Sequence, residues 1–184
     1  MPLSIAEQHA RRSSSAETEP AVIAQCGVTA TPVVEHLQGH LAYYGFGALF
    51  CGNTLFGCGC GQLFEGTAQQ MWGSLNKLAA LPPETRIFCA HEYTQSNIRF
   101  ALAVEPDNGA LHERARHVAY LRAGNQATAP LTLAEELQTN PFLRCKQPEV
   151  IAAAERHCGR TLTDPAEDPA EVFAILREWK NGFR

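Results

Sequence analysis

Three positions in this chain of 184 residues carry side chains of the kind that build chemical sites. His36 and His40 lie close together, Asn53 follows one short apolar run, and His91 follows another. Imidazole nitrogens bind metals and move protons near neutral pH, whereas the Asn53 carboxamide offers one neutral oxygen as an acceptor. Open α/β folds assemble their sites at the ends of strands. Taken alone, each of these histidines is more often structural than a metal ligand.

Three of the seven cysteines, Cys51, Cys58 and Cys60, fall in one glycine-rich stretch. Cysteine pairs that bind structural zinc are usually separated by about two to four residues. A single glycine separates Cys58 from Cys60, and no matching second pair follows. The spacing therefore favours reduced, mostly buried thiols over a zinc site. A secreted disulfide framework is also disfavoured, because no secretory signal is evident.

Composition and charge exclude several classes of protein. The chain is 45% hydrophobic and 18% charged, which is typical of a globular protein. Its formal net charge is −4, and its 15 lysines and arginines are scattered, which argues against a nucleic acid or a membrane surface as partner. No apolar run is long enough to span a membrane. We therefore expect a cytoplasmic protein.

The elements that must position Asn53 and His91 form an α/β layer. Residues 41–44 and 48–51 are short apolar runs on either side of a glycine turn, which predicts a hairpin. A glycine-rich loop is expected over residues 52–66. Met71, Leu75 and Leu78 share one face at helical spacing, which predicts a helix over residues 67–78. Residues 86–90 predict a buried strand that ends at His91.

Beyond His91 the pattern predicts helices only, separated by Pro, Gly and Asn breaks. The predicted helices cover residues 94–104, 110–122, 131–139, 149–158 and 169–179. The first 25 residues have a composition typical of disorder. The chain therefore divides into a disordered lead over residues 1–25, an α/β layer over 26–93 and a helical domain over 94–184.

Six segments together give the chain a resemblance to the glyoxalase II (hydroxyacylglutathione hydrolase) family. They occur in that family's order and with similar gaps, and the similarity extends from about residue 39 to residue 183. The segments are Cys51-Gly52-Asn53-Thr54-Leu55-Phe56, Gly59-Cys60-Gly61, Phe64-Glu65-Gly66-Thr67, Ala90-His91-Glu92-Tyr93-Thr94, Val104-Glu105-Pro106-Asp107-Asn108 and Asn140-Pro141-Phe142-Leu143-Arg144. No single segment is specific, but their combination is.

The resemblance implies a metallo-β-lactamase fold, in which two packed sheets lie between outer helices. This chain is expected to hold a partial α/β fold, the C-terminal half of that αββα sandwich, followed by an α-helical C-terminal domain. The implied reaction is hydrolysis of the thioester S-lactoylglutathione to lactate and glutathione, a step of methylglyoxal detoxification. The family uses two zinc ions, or iron or manganese, to activate the attacking hydroxide.

The metal ligands that the resemblance implies are incomplete in this sequence. His91 matches one of the family's histidine ligands, and His36 matches another, since residues 36–40 keep the spacing of a second family motif. Asn53 occupies the position of the Asp that bridges both metals. The family's Thr-His-x-His-x-Asp-His motif does not occur in these 184 residues. We therefore expect partial metal occupancy at most.

The substrate side of the family's site matches better. Tyr93, Arg177 and Lys180 occupy the positions that hold the glycine carboxylate of glutathione, and Arg177 and Lys180 share one helix face. Gln62 stands where the family usually has Lys or Arg, and Phe64 where Tyr can occur. A glutathione thioester is thus the expected ligand, held more weakly than in the family.

Three functions remain open for the chain. It is an impaired hydrolase of the glyoxalase II type, a non-catalytic remnant that still binds glutathione-like ligands, or an interaction module that takes its missing half from another chain. We also expect self-association, because the missing half would normally cover the sheet.

Overall fold

The computed structural model describes residues 27–33, 40–64 and 66–183. The predicted disordered lead over residues 1–25 and the predicted metal ligand His36 lie outside these described residues. The strands are β1 (Val28–Val33), β2 (His40–Gly45), β3 (Ala48–Gly52), β4 (Leu55–Phe56), β5 (Gly59–Cys60), β6 (Arg86–Cys89) and β7 (Leu131–Thr132). The helices are α1 (Ala68–Ala79), α2 (Thr94–Val104), α3 (Gly109–Ala123), α4 (Leu133–Thr139), α5 (Pro148–Cys158) and α6 (Pro169–Gly182), with a 3₁₀ turn over Pro141–Leu143.

Five strands form a mixed sheet in the order β1-β2-β3-β6-β7. All neighbours are antiparallel except β3 and β6, which are parallel and are connected through α1. The predicted hairpin is confirmed as β2 and β3, joined by Phe46 and Gly47. Both of these residues have positive φ angles, 52° and 70°, as two-residue hairpin turns of the mirror-image type require.

The structure corrects the sequence prediction in three places. The predicted loop over residues 52–66 contains the short antiparallel hairpin of β4 and β5. The predicted helix over residues 131–139 begins two residues late, because residues 131–132 pair with β6 and the Thr132 side chain accepts a bond from Glu135 N at 3.4 Å as the helix cap. Strand β1 was not predicted at all.

The core lies on one face of the sheet, under the helices. Leu49 and Ile87 point from β3 and β6 toward Met71 and Leu75 of α1. The same buried cluster continues into the C-terminal helices through Phe173. The mixed α/β layer and the helices that follow it therefore share one continuous core. In the part of the chain that the structure describes, no helix is both long enough and apolar enough to cross a membrane.

Candidate functional site

Five of the six residues predicted for the site border one cavity of about 400 Å³. The sixth, His36, lies outside the described residues. Gln62 and Phe64, which differ from the family pattern, border the same cavity. The lining residues are Asn53, Phe56, Cys60, Gln62, Phe64, His91, Tyr93, Ser96, Asn97, Arg177 and Lys180.

A larger cavity, of about 800 Å³, lies among the helices and is lined by no described residue of the predicted site. Its wall includes Glu105 and Arg144, whose side chains bond each other through both carboxylate oxygens at 2.9–3.1 Å. Because these two charged groups already satisfy each other, the smaller cavity is the better candidate for chemistry.

Asn53 reaches the cavity because the chain turns sharply after β3. Thr54 N donates to Cys51 O at 3.0 Å, and Gly61 N then donates to Thr54 O at 3.1 Å. A Cβ atom on Gly61 would lie 2.3 Å from Asn53 O, so only glycine permits this approach. The position of Asn53 therefore depends on the β4–β5 hairpin that follows it.

Side chains from the helices hold that hairpin through its backbone. Asn140 Nδ2 lies 3.2 Å from Phe56 O and 3.0 Å from Gly59 O. Asn97 Nδ2 donates to Gly57 O at 3.1 Å. A Cβ on Gly59 would lie 2.4 Å from Asn97 Nδ2, which explains a second glycine of the segment. The hairpin is thus fixed against α2 and the turn after α4.

Glu136 is the buried centre of this support, and it was not singled out in the sequence. Its Oε2 accepts from Cys58 N at 3.0 Å and from Asn140 Nδ2 at 2.9 Å. Its other oxygen pairs with the guanidinium of Arg114 on α3. The Glu136 side chain is fully buried, so its charge depends on these partners. Glu136 lies in a short helix with no distinctive motif, so the sequence around it gave no signal that it supports the β4–β5 hairpin.

Two thiols of the glycine-rich stretch, those of Cys58 and Cys60, contact different partners. Cys58 Sγ lies 3.7 Å from Thr139 Oγ1, whereas Cys60 Sγ lies 3.6 Å from Arg177 Nη1. Burial raises the pKa of Cys58 to about 12 and also raises the pKa of Cys60. Both thiols are therefore protonated at neutral pH and act as packing groups.

His91 follows β6 and belongs to a cluster of rings at the cavity. Its ring centroid is 5.0 Å from that of Tyr93, with the planes 23° apart, and 6.1 Å from that of Phe56. Ala90 N donates to Gly52 O at 2.9 Å, which fixes the chain just before His91 beside the end of β3. Both His91 and Tyr93 are exposed, so they can contact a bound molecule.

The described residues do not fit a centre of two metal ions. Within residues 27–33, 40–64 and 66–183, no three His, Cys, Asp or Glu side chains are grouped closely enough to hold a metal. His91 supplies one imidazole, and Asn53 supplies a neutral carboxamide that cannot bridge two cations as a carboxylate does.

Arg177 and Lys180 of α6 place positive charge at the cavity, but in different ways. Arg177 is only 7% exposed, and its Nη1 donates to Cys60 O at 3.0 Å and to Gly61 O at 3.4 Å. Burial lowers the pKa of Lys180, and the neighbouring cations Arg177 and Arg99 lower it further. Arg177 is thus mainly an anchor for the hairpin, whereas Lys180 is a half-buried cation beside two like charges at the edge of the cavity.

Comparison with known proteins places the chain in a family. The model of the hydroxyacylglutathione hydrolase C-terminus matches residues 92–183. A protein of Nitrosomonas europaea named hydroxyacylglutathione hydrolase is 56% identical over 149 residues, which are 81% of this chain and 55% of the relative. Relatives of the same name from Dechloromonas aromatica and Vibrio vulnificus are 53% identical over 165 residues and 57% identical over 148 residues.

These matches cover 85% of the chain and 62% of the Dechloromonas protein, and 80% of the chain and 56% of the Vibrio protein. The chain therefore spans little more than half the length of the relatives it matches. The resemblance carried by the six segments is confirmed, and this chain belongs to the hydroxyacylglutathione hydrolase family.

Proposed function

We propose that the cavity binds the glutathione part of a hydroxyacylglutathione thioester, and that the chain serves the hydrolysis of such thioesters to a hydroxy acid and glutathione. The observation that supports this most is that Lys180 and Arg177 border the same cavity as Tyr93 and His91. The same cavity thus has two cations that can bind a carboxylate, and the exposed rings of Tyr93 and His91 also border it.

The electrostatics of Lys180 favour an anionic ligand. Its ammonium group is half-buried and faces the like charges of Arg177 and Arg99, which is why its pKa is lowered. A carboxylate placed beside the ammonium group offsets its lost hydration and its repulsion by Arg177 and Arg99. It also forms a charge-assisted hydrogen bond with that group. Glutathione carries two carboxylates, of which the glycine carboxylate is the one we assign to Lys180. The Tyr93 hydroxyl, on a side chain that is 49% exposed, can add a further hydrogen bond.

The proposal includes weak catalysis by this chain alone. Asn53 in place of a bridging carboxylate, and the absence of the Thr-His-x-His-x-Asp-His motif from the sequence, leave too few ligands for the two zinc, iron or manganese ions that the family resemblance implies. Partial metal occupancy at most is expected. Three further expectations belong to this proposal. They are the metallo-β-lactamase character of the sheet, the division of the chain into residues 1–25, 26–93 and 94–184, and a cytoplasmic location.

A binding role without turnover is the second candidate, and the contacts of Arg177 with the β4–β5 hairpin favour it. The contacts that shape the cavity are made within residues 51–61 and by helices α2, α4 and α6. These contacts support the proposal that the cavity can bind the glutathione part of a ligand without a metal. A protein that binds glutathione conjugates, or one that completes its metal site with a second chain, is consistent with that arrangement.

Titration of the chain with glutathione, followed by calorimetry or NMR, tests the proposal. We expect weak binding, about millimolar, because one partly shielded charge-assisted contact contributes only about 1.5–3 kcal/mol. Lys180→Ala should weaken binding about tenfold. Lys146→Ala, an exposed lysine that does not border the cavity, is the matched control and should leave the affinity unchanged. Equal affinities for the two variants would contradict the assignment.

A further inference from the structure

The short link between β6 and α2 carries two residues of the candidate site, His91 and Tyr93. The last bond of the link to the sheet is made by Ala90 N, and the first bond of α2 is made to Tyr93 O. The backbone bonds of the sheet and of the helix thus end on either side of His91 and Glu92. Since regular backbone pairing does not fix these two residues, side-chain contacts decide how the link is held.

Glu92 makes such contacts with Thr128, in the loop between α3 and β7. Its Oε2 accepts from Thr128 N at 2.8 Å, and its Oε1 accepts from Thr128 Oγ1 at 2.6 Å. Arg122 adds to the closure of the same loop. Its Nη1 donates to Gln126 O at 2.6 Å and lies 3.8 Å from Glu92 Oε2. Both oxygens of one carboxylate therefore hold the loop against the link.

Thr94 extends this contact toward the opposite wall of the cavity. Its Oγ1 lies 2.7 Å from Thr128 Oγ1. Because Thr128 has a single hydroxyl proton, which it donates to the Glu92 carboxylate, Thr94 is the donor in this second bond. Thr94 also packs against Gly57 of the β4–β5 hairpin, where a Cβ would lie 2.5 Å from Thr94 Oγ1. The bonds thus reach the hairpin that carries Phe56.

Tyr93 lies between the two residues of the link that contact Thr128, so it is restrained on both sides. Its ring is 5.0 Å from the ring of His91 and 5.2 Å from the ring of Phe56, measured between centroids. Both values lie in the range of packed rings, about 4.5–7 Å. All three rings border the cavity. Their arrangement therefore depends on how firmly the link and the hairpin are held together.

We propose that Glu92 and Thr128 are positioning residues of the candidate site. Neither of them borders the cavity. They act through Thr94 and through the backbone of the link, and they hold the His91 and Tyr93 rings in the orientation that a bound molecule meets. Bonds to a carboxylate are stronger than bonds between neutral groups, so a short network is sufficient. The part of this inference that concerns a ligand rests on the function proposed above, and the part that concerns the rings does not.

Thr128→Val tests the inference, because it removes the hydroxyl but keeps the branched shape and the backbone N–H. NMR spectra of the ligand-free chain follow the two rings, whose signals are assigned with His91→Ala and Tyr93→Phe. We expect both sets of ring signals to shift and broaden in Thr128→Val. Thr128→Ser restores the hydroxyl and should restore the wild-type signals. Thr161→Val, at an exposed threonine between α5 and α6, is the matched control and should change neither ring.

Titration with glutathione gives a second measurement. Thr128→Val should weaken binding about threefold to tenfold, as expected for the loss of one hydrogen bond, and Thr128→Ser should recover the affinity. Glu92→Gln keeps the shape of the side chain but has one acceptor oxygen in place of two. It should shift the same ring signals, and it serves if Thr128→Val does not fold.

Folded Thr128→Val and Glu92→Gln proteins with wild-type ring signals would overturn the proposal, even if their melting temperatures are lower, since the network would then only stabilise the fold. Shifted rings with an unchanged affinity for glutathione would overturn the part that concerns a ligand. A wild-type chain that does not bind glutathione would contradict the proposed function, and the ring signals would still decide whether Glu92 and Thr128 position the rings.

Discussion

Arg177 Nη1 donates a hydrogen bond of 3.0 Å to the carbonyl oxygen of Cys60. The bond joins the last helix to the β4–β5 hairpin at the point where both border the candidate site. Because Arg177 is buried, its charge is stabilised mainly by the carbonyls of Cys60 and Gly61 and by Asn181 Oδ1, which Nε contacts at 3.2 Å. A residue that resembles a substrate-binding group in sequence is therefore also part of the framework.

Arg177→Ala should lower the free energy of unfolding by about 2–3 kcal/mol, since buried carbonyl oxygens lose a charged donor. Urea unfolding followed by circular dichroism measures the change. Arg116→Ala, at an exposed position of α3, should change the value by about 0.5 kcal/mol or less. If Arg177→Ala is as stable as this control, the framework role is wrong and ligand binding is the residue's main task.

The affinity for a glutathione-type anion should fall as the pH rises through the lowered pKa of Lys180. An anion binds the protonated ammonium better, so it raises that pKa on binding. The affinity is then highest below the pKa that Lys180 has in the free protein. It declines between that pKa and the higher pKa that Lys180 has in the complex. S-methylglutathione is the suitable probe, because it has no thiol that titrates. The Lys180→Ala variant should lack this part of the pH profile, and a profile that it shares with the wild type would refute the assignment.

Glu136→Gln should destabilise the fold by about 3 kcal/mol, the lower end for a broken buried ion pair, because the buried Arg114 guanidinium keeps only the partly exposed Glu135 carboxylate, 3.4 Å away, as a counter-charge. Thermal unfolding would show this as a lower Tm. The exposed Glu113 of α3 offers the matched control, and Glu113→Gln should have little effect. A Tm for Glu136→Gln equal to that of the control would mean that Glu135 alone is a sufficient partner for Arg114.

Hydrolysis of S-lactoylglutathione by this chain alone should be at least about a thousandfold slower than by the Nitrosomonas europaea relative, even with added zinc. Asn53→Asp should not restore it, because the other ligands of the family motif are still absent. A thioester assay with both proteins side by side decides the point. Turnover within tenfold of the relative would overturn the proposal of weak catalysis.

Local sequence patterns predicted the parts of the fold that depend on local physics. The β2–β3 hairpin, helix α1 and the start of α6 at Pro169 all follow from turn residues, apolar spacing and the position of proline. Strands β4, β5 and β7 have two residues each, which is too short for a periodicity to be visible, and only their pairing partners define them.

The site was predictable to the extent that side-chain type and family resemblance mark it. Asn53, His91, Tyr93, Arg177 and Lys180 were identified in this way, and they share one cavity. Asn97 and Glu136 could not be identified from the sequence, because they support the β4–β5 hairpin through hydrogen bonds to residues far away in the sequence. The alternating glycines at 57, 59 and 61 were the available signal. Gly57 and Gly59 pack closely against the α2 side chains of Thr94 and Asn97, and Gly61 packs against the backbone of Asn53.

The backbone of the β4–β5 hairpin has a consequence for the order in which the molecule folds. Its carbonyl groups are bonded by residues that follow 40, 84 and 117 positions later in the chain. During synthesis the hairpin segment leaves the ribosome long before these partners, so it first lacks most of its native contacts. Contacts between residues distant in sequence form slowly, and partly folded intermediates expose apolar surface that promotes aggregation. The walls of the cavity can therefore be completed only after α6, near the very end of the sequence, has left the ribosome.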